Sequence, residues 1–301
     1  MTRKSVTLLL SFLLLPVLLH ARVEGRFDRT LTVSGVVHLD LTTGSGDITI
    51  KAGSSNQVVV QGTISSNGWF SSSESAVHEV ESNPPIQQNG NDIRIGYNLP
   101  EDVRRHISIS YEVTVPADAA VQAHSGSGNV NVEGVRGETQ AQTGSGDIRL
   151  RDLGSRAHVQ TGSGGIRAQD VGAPFYAHTG SGNIDAELTG SGDIDIQSGS
   201  GSVQLRGAKG GLRARTGSGN ISADGSVAGP WQLHTGSGNI RMAVGTGSGF
   251  DLNVHTSSGS IHSDLPITVQ GSLGKHELKG TVRGGGPEVE VSTGSGDVEI
   301  R

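Results

Sequence analysis

The stretch Thr143-Gly144-Ser145-Gly146-Asp147-Ile148 decides the fold, because lightly varied copies of it return along the whole chain. Copies begin at Thr43, Ser125, Thr161, Thr179, Thr189, Ser198, Thr216, Thr235, Thr256 and Thr293, with a degenerate one at Thr246. From Ser125 to Thr235 the main series advances by 18 or 19 residues at a time. A fixed period this short specifies a solenoid, in which each repeat buries its apolar face only against its neighbours. The copies at Thr189 and Thr246 fall about halfway through a repeat, where other repeats carry Gly134 and Gly137, Gly154, Gly172, Gly207 and Gly210, or Gly225 and Gly229. Each coil therefore has two glycine-marked corners and two strands.

Alternation inside the strands says which side chains point inward. After the main corner the apolar residues stand two apart, as in Ile148 and Leu150 or Ile240 and Met242, and the second strand repeats this in Ala157 and Val159 or Trp231 and Leu233. This is the period of a strand with one buried face, and it places Ile148, Val159, Ile166, Phe175, Ile184, Trp231 and Leu233 inside. The corner glycines supply positive φ or a very tight bend. Stacking puts Asn129, Asp147, Asn183, Asn220 and Asn239 in one column at the strand spacing of ~4.8 Å. Because crossovers between parallel strands are right-handed in nearly all sheets, the coils should wind that way. The expected fold class is all-β: a single-stranded parallel β-solenoid, right-handed and β-helix-like, with about 18 residues and two strands per coil.

Residues 1–21 read as a secretory signal peptide, with Arg3 and Lys4 before an apolar run from Val6 to Leu19 and the small Ala21 after it. Pro16 breaks the run, which is short for a membrane span, so a chain that no longer spans the membrane after cleavage is expected. The absence of cysteine excludes a lipid-anchored bacterial signal, disulfides and thiolate metal sites. With 47 Gly, 3% aromatic residues, 17% charged residues and a net charge of −6, the composition describes a rigid, non-helical exported protein. It excludes a basic nucleic-acid binder and an enzyme with an ordinary hydrophobic core. Residues 27–120 form a strand-rich N-terminal part and cap, with an irregular insertion at 65–92 that is rich in Ser and Asn and contains Pro84-Pro85. Residues 121–301 form the regular solenoid, interrupted by an irregular segment at 263–288. These departures from the period are expected to cap the open strand edges at the solenoid's ends.

The strand-rich start at Phe27-Asp28-Arg29-Thr30-Leu31, the lead-in Val113-Thr114-Val115-Pro116, the tandem corners and the closing stretch from Gly284-Gly285-Gly286 to Asp297-Val298 resemble the bacterial putative-adhesin family of β-strand repeat domains. The resemblance spans nearly everything after residue 21. It implies a single-stranded β-solenoid in exported or envelope proteins, and it brings no catalytic residues.

Three site chemistries can be weighed on the repeat. A calcium-binding β-roll needs Asp two residues after the last corner glycine, where this chain has Ile148, Ile184, Ile194, Ile221 and Ile240. A transition-metal site would draw on the column His124, Gln142, Gln160, His178, Arg215, His234 and His255, whose last two members are expected on adjacent coils. A sugar-cleaving enzyme needs paired carboxylates on one face. Instead, acids and arginines are expected to alternate between coils after the main corner, which keeps like charges from stacking, and Asp195 lies on the opposite sheet from Asp185. No catalytic residue, metal or cofactor is assigned. The expected working surface is the other face, with Gln142, Gln160, Tyr176, His178, Arg213, Arg215, Gln232, His234 and His255, whose amides, imidazoles and guanidinium groups suit an envelope polymer, glycan or protein partner. The functional expectation is a non-enzymatic, adhesin-like binding or display scaffold in the periplasm or on the cell surface of a bacterium. The alternatives are a periplasmic component of an envelope-stress or signalling system, or a calcium-binding β-roll.

Overall fold

In the computed structural model, which describes residues 23–54, 56–66, 71–269 and 274–301, the repeat period is the register of strand pairing. Thr143 lies beside Ser125 on one side and Thr161 on the other, and Ile148 lies between Val130 and Ile166. The described residues form 25 strands and two helices. Their sheet is mixed but mostly parallel, and it curves nearly closed round an axis. Residues 1–21, read as a signal, lie outside the described part.

Strands that follow a main corner make one wall, running from Ile48–Gly53 through Val130–Glu133, Ile148–Leu153 and Ile166–Val171 to Ile184–Leu188. Strands that precede a corner make the second wall, from His38–Ser45 through Ala120–Ser127, Thr139–Ser145, Ala157–Ser163 and Phe175–Thr179 to Ile194–Ser200. Two long strands, Val203–Ser218 and Ile221–Ser237, turn the second corner unbroken and belong to both walls. Between the walls, all seven residues expected inside are buried, from Ile148 to Leu233. Each such side chain stabilises the fold by about 1.5–3 kcal/mol, so a core thin in every rung is offset by the number of rungs.

Side chains at the corner bind rung to rung. The first residue of the phrase is buried at each main corner, and at all of these but Thr43, which donates to Ile109 O, its hydroxyl donates to a glycine carbonyl of the neighbouring rung: Thr143 to Gly128 O at 2.8 Å, Thr161 to Gly146 O at 2.9 Å, Thr216 to Gly201 O at 2.8 Å and Thr293 to Gly238 O at 2.9 Å. The Asn and Asp column forms as expected. Its side-chain oxygens accept backbone N–H groups of the next rung, as Asn129 Oδ1 does from Asp147 at 3.0 Å and Asn220 Oδ1 from Asn239 at 2.8 Å. The glycines answer mainly to crowding. A Cβ on Gly144 would stand 2.5 Å from Gly126 O, and one on Gly146 only 2.2 Å from Gly128 O, so the corners stack backbone on backbone.

Three features depart from the sequence reading. The chain is not free of helix: α1 (Ser71–Ser82) and α2 (Glu101–His106) fall in the N-terminal part. Ala76, Val77 and Val80 on one side of α1 are buried with Val103 of α2, a small apolar stripe that a Ser-rich composition hides. Nor is every pairing parallel. Glu24–Thr32 and Gln57–Ser66 extend the first wall antiparallel beyond Ile107–Pro116, and the hairpin Ile86–Asn89 with Asp92–Ile95 extends the second wall beyond His38–Ser45. At the far end Glu277–Val282 pairs antiparallel with Phe250–Ser258.

The third departure concerns order along the axis. The last two strands of the chain do not lie at its end. Glu288–Ser295 sits between Ile221–Ser237 and Phe250–Ser258, and Val298–Ile300 sits between Ile240–Val244 and Ile261–Ser263. The first coil, 38–53, is likewise flanked by 120–133 on one side and by Asp92–Ile95 and Ile107–Pro116 on the other. At both ends a later segment slots against an earlier rung, so the final strands are paired on both edges.

Candidate functional site

Outward positions of the second wall form two columns of side chains. The column next to the corner runs His124, Gln142, Gln160, His178, Gln197, Arg215, His234, Ser292 and His255, each in register with the next. Beside it run Gln140, His158, Tyr176, Asp195, Arg213, Gln232 and Glu290. All nine expected face residues therefore share one face, with alternation placing them outside because their neighbours Ala141, Val159, Ala177, Ala214 and Leu233 are buried. Seven members of these columns, His124, Gln140, His158, Asp195, Gln197, Glu290 and Ser292, were missing from the expected face.

Ser292 overturns the expectation that His234 and His255 occupy adjacent coils. It lies between them, and His234 Nδ1 hydrogen-bonds its hydroxyl at 2.9 Å. Two strand spacings, ~10 Å, are too many for two imidazoles to share an ion that each must approach to about 2 Å. Among the described residues no three His, Cys, Asp or Glu side chains gather to hold a metal. At the corner, Asp147 Oδ1 accepts the Gly165 N–H at 3.0 Å while its Oδ2 takes Arg149 at 2.8 Å, so this carboxylate is already engaged.

The face carries mixed charge. Among the described residues Arg213 and Arg215 form no ion pair, although Asp195 and Glu290 lie in the same column as Arg213; Asp195 Oδ1 instead accepts the Gln197 amide at 3.0 Å. The rings of His158 and Tyr176 meet across adjacent rungs with centroids 6.1 Å apart. A shallow depression of about 270 Å³ opens between Arg215, Gln232, His234, Glu290 and Ser292. These groups can donate to, accept from and stack against a polar ligand.

On the first wall the expected alternation of charge fails at one place. Arg149 and Arg167 are in register on neighbouring strands. Relief comes from within the rung and along the next column instead, through Asp147 on Arg149 and Glu133 at 3.7 Å from Arg151. Asp185 and Asp195 stand on opposite walls, so they form no carboxylate pair.

With its corner ladder and stacked rungs described, the chain can be compared with known proteins. The family model for the toastrack domain DUF4097 matches residues 36–301. The chain belongs to the toastrack DUF4097 family. Among solved structures, a putative cell adhesion protein from Clostridium sporogenes is similar at 11% identity over 91% of this chain and 98% of that one, with a TM-score of 0.24. A putative adhesin from Bacteroides fragilis is similar at 12% identity over 92% and 97%, with a TM-score of 0.41. No curated protein matches the chain.

In this toastrack chain Ser292 and Glu290 were missed because they belong to the strand that inserts out of order. The signal for Gln197 was present, since it precedes a corner copy as His178 and Arg215 do.

Proposed function

We propose that this toastrack chain is a non-enzymatic, exported, adhesin-like β-solenoid, right-handed with about 18 residues and two strands per coil, that serves as a binding or display scaffold in a bacterial envelope. The outer face of the second wall is its working surface, and an envelope polymer, glycan or protein is its partner. The observation that carries this reading is an in-register row rich in imidazole, amide and guanidinium groups, in which Arg213 and Arg215 have no ion pair among the described residues to break on binding. On the opposite wall Arg149 and Arg151 are already met by acids, while Arg167 has no ion pair among the described residues. The signal-like residues 1–21 support export.

The test replaces Tyr176, His178, Arg215 and His234 together with Ser and compares adhesion or binding to isolated envelope polymer with that of an Arg149, Arg151 and Arg167 to Ser variant. The proposal requires loss in the first variant alone. Equal loss in both, or loss only in the second, would mean the working face is not this one.

A further inference from the structure

The second wall has another concavity at its N-terminal end, away from the nine residues above. A cleft of about 740 Å³ spreads across the outer side of His38–Ser45, Ala120–Ser127 and Thr139–Ser145 and under the hairpin 86–95. Asp40, Gln122 and Gln140 line its floor in one in-register column, and Gln88, Asp92 and Arg94 line its side. Among the described residues Gln122, Gln140, Asp92 and Arg94 have no hydrogen-bond or ion-pair partner for their side chains, which leaves those donors and acceptors available to a ligand. Amides carry both a donor and an acceptor, which is the combination that reads sugar hydroxyls.

An aromatic ring stands beside this floor. Tyr97 is half exposed in a chain with only three tyrosines, and its hydroxyl donates to Asp40 Oδ1 at 2.7 Å. The bond fixes one end of the ring and leaves its face open, an amphipathic platform for the C–H face of a pyranose. Asp40, Asp92 and Glu138 outnumber the single Arg94 in the lining, so the cleft repels anionic chains.

We propose that this cleft is a saccharide-binding site for an uncharged, hydroxyl-rich glycan, with Gln122 and Gln140 reading hydroxyls and Tyr97 stacking on a sugar ring. It is a separate site from the nine-residue face and does not depend on that reading.

The test is isothermal titration of the full chain with cellotetraose, chitotetraose and mannotetraose, and with tetragalacturonate as the anionic probe. At least one neutral tetrasaccharide binds, and tetragalacturonate does not. Gln122→Ala with Gln140→Ala, both outward side chains that hold nothing in the fold, weakens binding about tenfold or more. Tyr97→Ala weakens it likewise, while Tyr97→Phe keeps the ring and most of the affinity. The Tyr176, His178, Arg215 and His234 to Ser variant binds the neutral tetrasaccharide normally, which separates this site from the other face. Absence of binding to all three neutral probes, binding untouched by the glutamine substitutions, or preference for tetragalacturonate would overturn the proposal.

Discussion

One side-chain oxygen of Asn, Asp or Ser and one buried hydroxyl per rung carry the corner, and a single glycine interrupts the first of these columns. Asp147 Oδ1 accepts the Gly165 N–H, but Gly165 has no side chain to offer the rung of Asn183. A Cβ there would lie 3.5 Å from Asn183 O and 3.7 Å from Asp147 Oδ1, ordinary contacts, on a backbone outside the left-handed region. Gly165→Asn should therefore stabilise the chain by about 1 kcal/mol, through one hydrogen bond and a less flexible unfolded chain. Gly146→Ala should do the opposite by about 1–3 kcal/mol, because its Cβ meets the fixed Gly128 carbonyl at 2.2 Å. Denaturant melts of both variants check this, and shifts of the same sign would show that crowding between rungs does not govern the corner. At this scale the sequence is readable where chemistry is local: the Asn and Asp column and the inward set from Ile148 to Leu233 follow from turn chemistry and a period of two. The cause of the glycines was not readable, since contact between stacked backbones is invisible in a single repeat.

Among the elements, the outermost rung has a hold of its own on the inserted strands. Ser260 donates its hydroxyl to Asp297 Oδ1 at 2.7 Å and its backbone N–H to the same oxygen at 2.8 Å, and these two bonds keep the carboxyl below its ordinary range. A lowered folded-state pKa contributes stability that is fully present above the unfolded-state pKa and is lost as pH falls through the folded-state value. Acidification through the carboxylate range should therefore lower the protection of the Val298 amide, its exchange rate taken relative to the intrinsic rate at each pH, since that N–H donates to Ser260 O at 2.9 Å. Asp297→Asn keeps an acceptor oxygen and should flatten that pH dependence. An unchanged pH profile in Asp297→Asn would assign the loosening to another group. The helices illustrate what an element-level reading misses. Ser65 to Gln88 looks like a loop by composition, yet Ala76, Val77 and Val80 form a stripe too short to outweigh the surrounding serines until the core behind it supplies the packing.

For the whole molecule, the stacking order of the rungs decides which surfaces exist. The cleft at the N-terminal end is assembled from residues near 40, 90, 122 and 140 because 92–95 and 120–127 both pair with the first coil. At the other end, insertion of 288–300 places Ser292 between His234 and His255 in the polar column. The sequence does not disclose this order, because the inserted strand carries a corner of the same kind as the other rungs and fits any of them in the same register. The antiparallel return through Glu277–Val282 beside Phe250–Ser258 accompanies the insertion, and it falls in a segment without the repeat phrase.

Disulfide trapping at His234, Ser292 and His255 measures that order directly in a chain with no native cysteine. Neighbouring strands lie ~4.8 Å apart, within the Cα separation of roughly 4.4–6.8 Å that a disulfide spans, whereas strands two rungs apart at ~10 Å are beyond it. Inserted stacking predicts oxidation of the His234→Cys with Ser292→Cys pair and of the Ser292→Cys with His255→Cys pair, and no intramolecular bond between His234→Cys and His255→Cys. Ready formation of the bond between positions 234 and 255, with none to position 292, would contradict it and return the chain to rungs stacked in sequence order.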